Sequence, residues 1–294
     1  MRIGAFQVEE PLPELREPHA LAILRPWIDV GSVGSMTVAV LENHFHAKPL
    51  AKLVKPGNFF DFTRYRPIVR LVEGQREVEI PNSFINHARP SEPGGNDFLI
   101  FHLLEPHMLG EDYVDSVLKV LQKLAIKRYC LIGSMYDVVP HTRPLIVSGS
   151  ATGPVEGELR KLDVRPINYE GPTTIAILIS QLAPRYNIEV MTLIVHLPQY
   201  VRLERDYAGT LRLMEVLCSL YHFPFALEEL RNKAEKQSEE MNRAMERESQ
   251  LREVVQQLEI HYDARVSEAE KEQPKLSPEI EEFLREVTRR FEQD

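Results

Sequence analysis

Serine, histidine and arginine side chains, which transfer protons or hold anions, fall close together in LIGSMYDVVPHTRP at residues 131–144. Ser134 follows Gly133 at the end of an apolar run, which is typical of a buried strand. His141 can move protons near neutral pH. Arg143 offers a planar fork for a carboxylate or a phosphate. If the run is a parallel strand, the stretch begins at its carboxyl end, where ligands of open α/β sheets gather.

Two further segments can bring anion-binding backbone groups to the same edge of the sheet. GSVGS at residues 31–35 lies between a predicted strand and a predicted helix, and EGPT at residues 170–173 precedes another helix. Helix N-termini favour anions, although a tight connection between strand and helix is the commoner explanation of a sequence such as GSVGS. The candidate ligand-binding residues are Asp29, Gly31, Ser32, Gly133, Ser134, His141, Arg143, Glu170, Gly171 and Thr173.

These residues admit two interpretations. In the first, Ser134, His141 and Asp163 form a catalytic triad, but the residue types are common and the spacing does not require it. In the second, His141 and Arg143 belong to a rigid connector and are held by internal carboxylates. The acids proposed for this role are Asp137, Asp163 and Glu170. The sequence leaves the choice between a pocket and a fastened loop open.

Strand and helix patterns alternate from residue 97 to residue 222, which is typical of a mostly parallel sheet covered on both faces. Residues 20–30 predict a first strand, with Pro26 near an edge or a bend. Residues 59–89 predict an antiparallel hairpin. Gly171 fits the N-cap of a later helix, and Pro172 fits its first position.

The composition changes after Phe225. Residues 226–266 contain no Gly or Pro, and apolar residues recur there in steps of three and four. This spacing predicts a long helix, packed along the domain or paired with a partner. Ser277 and Pro278 fit the start of a short terminal helix. We therefore divide the chain into an α/β core at 1–225 and a helical extension at 226–294.

Charge and cysteine content exclude several classes of protein. The formal net charge is −9, whereas a general nucleic-acid binder or a protein of anionic membranes needs a basic surface. Cys130 and Cys218 lie in apolar contexts, so we predict buried thiols instead of disulfides or zinc ligands. No run has the length of a transmembrane helix, and residues 1–20 hold acids and prolines where a secretory leader is apolar. We expect a cytoplasmic protein.

The histidines do not indicate a metal site. His44 and His46 are two positions apart, and side chains at that spacing diverge by about 200° on a helix. His102 and His196 lie inside apolar strands, where a hydrogen-bonded core histidine is the commoner case. The sequence also lacks Walker A, G-x-G-x-x-G and H-E-x-x-H motifs. We expect neither a metal nor another cofactor.

The order and separation of GSMYDVVPHTRP, YEGPTTIAILISQLA and VHLPQYV resemble the proteasome assembly chaperone 2 (PAC2) family in its bacterial branch. LEIHYDARV and LSPEIEEFLREV are similar to the helical tail of actinobacterial members. The resemblance extends from PWIDVGSVGSM to the terminal helix. It implies a three-layer α/β/α fold like those of nucleoside phosphorylases and peptidyl hydrolases, oligomeric assembly and no established reaction.

The resemblance implies a role in protein interaction. Eukaryotic members assist the assembly of proteasome subunits, and some archaeal members dock on the proteasome through a C-terminal hydrophobic-Tyr-any-residue signal. This chain ends Phe291-Glu292-Gln293-Asp294, which does not match that signal. We expect a non-enzymatic, assembly-chaperone-like homo-oligomer without nucleic-acid or membrane partners. The alternative is a binder of small anions or a hydrolase-like enzyme, with its pocket at the strand carboxyl ends.

Overall fold

A computed structural model describes residues 1–90, 95–167, 169–247 and 249–267. Within these ranges a ten-stranded sheet lies between two layers of helices, which confirms the predicted three-layer α/β/α fold. The strands are β1 (Arg2–Ile3), β2 (Phe6–Val8), β3 (His19–Arg25), β4 (Lys48–Leu53), β5 (Ile68–Val72), β6 (Gln75–Glu79), β7 (Phe84–Ala88), β8 (Phe98–Leu104), β9 (Arg128–Asp137), β10 (Val147–Ala151), β11 (Val164–Pro166) and β12 (Glu189–Pro198). The helices are α1 (Val33–His44), α2 (Gly110–Lys123), α3 (Val155–Lys161), α4 (Ile175–Leu182), α5 (Tyr207–Tyr221), α6 (Glu228–Arg247) and α7 (Ser249–Ser267).

The sheet is mixed, with a parallel centre. Its order is β1-β2-β4-β7-β8-β3-β9-β12-β10-β11. Strands β8, β3, β9 and β12 are parallel to one another. Antiparallel pairing extends the sheet through β7, β4, β2 and β1 on one side and through β10 on the other, where β11 then pairs parallel to β10. The long apolar runs of the sequence are the buried parallel strands.

Side chains of the central strands alternate between two cores, because successive residues of a strand point to opposite faces. In β3, Leu21 and Ile23 pack with α1 and α5, whereas Ala22 and Leu24 pack with α2 and α4. Both faces of β3 are therefore buried, which explains why its sequence is apolar throughout rather than alternating.

Two predicted boundaries are wrong. The first strand stops at Arg25 rather than reaching residue 30, since Pro26 has no N–H for the ladder. Helix α4 begins at Ile175 rather than at Pro172. The Ile175 N–H donates to the Glu105 carboxylate at 3.0 Å, so a side chain just beyond β8 caps the helix in place of Gly171.

The predicted long helix of residues 226–266 is two helices, α6 and α7. His141 Nε2 lies 3.2 Å from Asn242 Oδ1 on α6, and Thr142 Oγ1 donates to Glu259 on α7 at 2.5 Å. In one straight helix Asn242 and Glu259 would lie about 25 Å apart, which two adjacent residues cannot span. The chain therefore bends between them, and both helices pack on the α/β core of their own chain.

The predicted hairpin is present as β5 and β6, which form a sheet of their own. Glu73 and Gly74 join the strands with φ values of 50° and 81°, as a tight hairpin turn requires. Strand β7 then returns to the main sheet.

The predicted helix at Ser277 lies outside the described residues. Among the helices of the described ranges, none is both long and apolar enough to cross a membrane.

Candidate functional site

The segment after β3 lies against the carboxyl-terminal half of β9 and binds its backbone. Asp29 and Ser134 form an isolated parallel bridge, and the Ser134 N–H donates to the Ile28 carbonyl at 2.9 Å. Ser134 Oγ donates to the Val30 carbonyl at 2.6 Å, and the side chain is fully buried. The hydroxyl of Ser134 is thus committed to holding two chain segments together.

Gly133 permits this crossing. A Cβ at this position would lie 2.1 Å from the Ile28 carbonyl oxygen, far inside van der Waals contact. The Gly-Ser pair lies inside β9, which continues to Asp137 beyond the strand end expected from sequence, and the glycine is required by the close approach of two backbones.

Asp29 closes the same segment onto the start of α1. Its carboxylate accepts hydrogen bonds from the Ser35 N–H at 3.0 Å and from Ser35 Oγ at 2.5 Å. Burial raises the pKa of Asp29, and the hydrogen bonds from Ser35 oppose that shift. This carboxylate serves as a helix cap here.

Gly31 and Ser32 bind the segment that leads into α5. The Gly31 carbonyl accepts from the Asp206 N–H at 2.8 Å, and Ser32 Oγ donates to the Glu204 carbonyl at 2.8 Å. Gly31 has φ 60°, and a Cβ there would lie 2.7 Å from that of Asp206. The structure thus brings five of the ten candidate residues together, and they hold neighbouring backbone segments to one another. We call these residues the backbone interlock: Asp29, Gly31, Ser32, Gly133 and Ser134.

His141 lies between the core and α6. Its backbone N–H donates to Tyr200 Oη at 2.8 Å, and its ring Nδ1 lies 2.6 Å from the same oxygen. Its Nε2 faces Asn242. Burial lowers the pKa of His141, and Asn242 and Glu259 oppose the shift. The ring is therefore held on both sides by neighbours in the chain.

Arg143 links the loop to α7 through three hydrogen bonds. Its Nε and Nη2 donate to the two carboxylate oxygens of Asp263 at 2.9 and 2.8 Å, and its Nη1 donates to Glu259 at 3.0 Å. The hydrogen bond to Asp263 raises the pKa of Arg143 above its usual value, with further contributions from Glu259. A two-point fork of this kind fixes orientation as well as contact.

The acids that hold this loop differ from those proposed from the sequence. Asp137 instead binds His196 Nδ1 at 2.7 Å and Arg265 Nη1 at 2.9 Å through one oxygen. Burial alone would raise the pKa of Asp137, but the hydrogen bonds from His196 and Arg265 outweigh it and the net shift is downward. Asp163 and Glu170 are exposed. The fastened-loop interpretation names the correct kind of contact with the wrong partners.

Apolar contacts also hold α7 against the core. Val254, Val255 and Leu258 pack with Tyr200, while Tyr262 packs with Val139 and Ile146 of the core. The loop of residues 137–144 is consequently one of the places where α7 joins the α/β core. We call it the anchor loop.

The remaining candidates lie elsewhere. Thr173 lines an open cleft of about 940 Å³ together with Trp27, Glu105 and His107. Glu170 and Gly171 are exposed in the segment before α4. Eight of the ten candidates therefore fall into three groups: five in the backbone interlock, two in the anchor loop, and Thr173 in this cleft.

Sequence reasoning missed the α7 side of the anchor loop. The charged helix α7 contains Glu259, Asp263 and Arg265. The spacing of its apolar residues predicts an amphipathic helix, but it does not reveal which loop the helix contacts. Among the described residues, no group of three or more His, Cys, Asp or Glu side chains could hold a metal ion.

An apolar surface stands out on the β5–β6 hairpin. Val69 pairs with Val78 and Leu71 pairs with Arg76, and cross-strand partners share a face. Leu71 is 74% exposed, Val69 61% and Val78 60%. We call these three residues the hairpin face.

Comparison with known proteins identifies relatives of the whole architecture. The model of the PAC2 family matches residues 23–245. A search of curated proteins gave no significant match.

Three solved structures are similar over most of the chain. A PAC2 family protein from Streptomyces avermitilis is 25% identical with a TM-score of 0.72, covering 81% of this chain and 99% of that one. A proteasome-assembly chaperone homologue from Mycobacterium tuberculosis is 27% identical with a TM-score of 0.70, covering 80% and 99%. A protein of unknown function from Corynebacterium glutamicum is 21% identical with a TM-score of 0.78, covering 90% and 99%, and shares the fold.

Proposed function

The chain belongs to the PAC2 family, and from that premise we propose that it is an assembly-chaperone-like protein that acts as a homo-oligomer by binding protein chains. The similarity to a proteasome-assembly chaperone homologue supports this class of function. The free thiols of Cys130 and Cys218 support a reducing compartment such as the cytoplasm. The observation that carries the proposal is the exposed hairpin face.

The hairpin lacks the support that a pair of strands needs. An isolated two-stranded hairpin is only marginally stable in water and gains stability when a third element covers an apolar face. Every residue of β5 and β6 is exposed. The hairpin face therefore leaves large apolar side chains in water, which is unfavourable unless a protein partner covers them.

The charges around the hairpin face favour contact with a second copy of the chain. The chain carries a formal net charge of −9, so two copies repel each other in most relative orientations. Residues 68–80 instead contain two arginines and three glutamates, with Arg70 bonded to Glu79 at 2.6 Å. A nearly neutral surface that holds both signs can meet its own image in a closed symmetric contact.

Light scattering coupled to size exclusion tests the proposal. We expect the wild-type chain to elute at a multiple of 33.9 kDa. The dissociation constant of the triple variant Val69→Ser, Leu71→Ser, Val78→Ser should be more than about tenfold higher than that of the wild type, since each substitution removes apolar area from the contact. The control is Ile260→Ser, which changes an equally exposed apolar residue on α7. A monomeric wild type, or equal masses for the wild type and the triple variant, would contradict the proposal.

A further inference from the structure

A serine, a histidine and an aspartate lie in series where α7 meets the sheet. Ser148 Oγ is 2.7 Å from His196 Nε2, and His196 Nδ1 is 2.7 Å from Asp137 Oδ2. This is the order of contacts that activates a serine nucleophile: hydroxyl to Nε2, then Nδ1 to a carboxylate that orients the ring. None of the three residues belongs to the triad considered from sequence.

Strand register brings these side chains together. In the antiparallel pair of β10 and β12, Ser148 lies opposite Ile194, so His196 is its diagonal neighbour on the same face. In the parallel pair of β12 and β9, Asp137 lies opposite Pro198, again one diagonal step from His196. Three rigid strands therefore set the geometry, as a site that needs fixed distances requires.

Helix α7 closes this site in the present structure. Arg265 donates to the same Asp137 oxygen that faces His196, so the carboxylate oxygen that orients the imidazole is shared with α7. Tyr262 packs on Ile146, which precedes β10, and donates to the Pro144 carbonyl at 2.7 Å. Ser148 and His196 are each 7% exposed.

The arrangement is a costly way to fill a core. Burial of polar side chains is unfavourable unless each is hydrogen bonded, and apolar residues of similar size are often as stable or more stable. A Ser–His–Asp series under a helix that is held largely by side-chain contacts is therefore better explained by chemistry than by stability.

We propose that Ser148, His196 and Asp137 form a latent acyl-transfer site for ester substrates, which α7 covers and which opens when α7 leaves the anchor loop. Ser148 Oγ bonds to the acyl carbon while its proton passes to His196 Nε2. The ester C–O bond breaks, and His196 returns that proton to the departing alcohol. Water then hydrolyses the acyl-serine with His196 again carrying the proton, so that ester and water give acid and alcohol.

An alkyl fluorophosphonate tests this site on the full chain. The probe reacts when Ser148 Oγ bonds to phosphorus and fluoride leaves, while the hydroxyl proton passes to His196. The releasing variant combines Arg143→Ala with Leu258→Asp, because a docked α7 cannot accommodate a carboxylate at fully buried Leu258. Hydrogen exchange of residues 249–267 checks the release in each sample, and peptide mapping locates the adduct.

The site predicts an adduct on Ser148 in the releasing variant, none on Ser148→Ala in the same background, and slow labelling of the wild type. Adding His196→Gln should slow labelling by about 10²- to 10⁴-fold. Asp137→Asn serves as a second test if His196→Gln does not fold. An unlabelled Ser148 with α7 released would overturn the proposal, as would an adduct that forms equally fast without His196.

Discussion

Arg143 and Asp263 are 120 residues apart in the chain, yet two nitrogens of the guanidinium donate to the two oxygens of the carboxylate at 2.9 and 2.8 Å. This pair joins the anchor loop, which follows the sheet strand β9, to the helical extension. Arg143, one of the residues that suggested a ligand site, is thus engaged in holding α7 on the core.

Replacement of Arg143 should loosen α7 without unfolding the core. Arg143→Ala leaves Glu259 and Asp263 without their shared partner, so we expect faster hydrogen exchange at residues 249–267 and unchanged exchange in β3 and β8. Arg160→Ala, which breaks only an exposed ion pair with Glu156 within α3, is the matched control. Equal exchange of α7 in both variants would show that the Arg143 contacts do not anchor the helix.

Gly133 should tolerate no side chain. Gly133→Ala places a Cβ 2.1 Å from the Ile28 carbonyl oxygen, so the crossing segments must separate, at a cost on the order of 3 kcal/mol. Gly157→Ala is the control, since a Cβ in that helix meets nothing within 4 Å and should stabilise by up to about 1 kcal/mol. Chemical denaturation measures both, and similar midpoints for the two variants would contradict the interlock.

His19 should make the protein less stable in mild acid. Burial, with a contribution from Arg128, lowers the pKa of His19 to about 4, whereas an unfolded histidine titrates near 6.5. The stabilising effect of the neutral ring is therefore complete above pH 6.5 and is lost as the pH falls toward 4, by about 3 kcal/mol.

His19→Gln should flatten this part of the pH dependence of the unfolding free energy. Parallel pH profiles for the wild type and His19→Gln would count against a neutral buried ring.

The contact between Glu105 and α4 should act as a helix cap. Glu105→Ala frees the Ile175 N–H at the helix start and should cost about 1 kcal/mol. Glu105→Gln keeps an acceptor oxygen and should cost less. Thermal unfolding of the two variants tests the cap. Equal losses of stability would mean that the charge of the carboxylate matters more than its role as a hydrogen-bond acceptor. Burial raises the pKa of Glu105, with the Ile175 hydrogen bond in opposition.

Much of the fold was predictable because its signals are local. The apolar runs of β3, β8 and β9 have no polar alternation, which marks strands buried on both faces. Within residues 59–89, the alternation of apolar and polar residues predicted the hairpin. The cap of α4 was not predictable, since Glu105 comes from another element 70 residues away.

The candidate site was harder to predict because its partners are distant. Gly133 and Ser134 are typical of both a catalytic turn and a close crossing, and the choice depends on where Ile28 lies. The Ser148, His196 and Asp137 series depends on the register of three strands, and β10 runs antiparallel to β12. A single sequence does not reveal that register.

Hydrogen exchange of residues 68–80 at low and high protein concentration tests the central claim most directly. If a second copy covers the hairpin face, these amides become more protected as concentration rises, while residues 249–267 on α7 stay unchanged. Exchange of the hairpin that is fast and independent of concentration would contradict the account, because a contact between copies must strengthen by mass action.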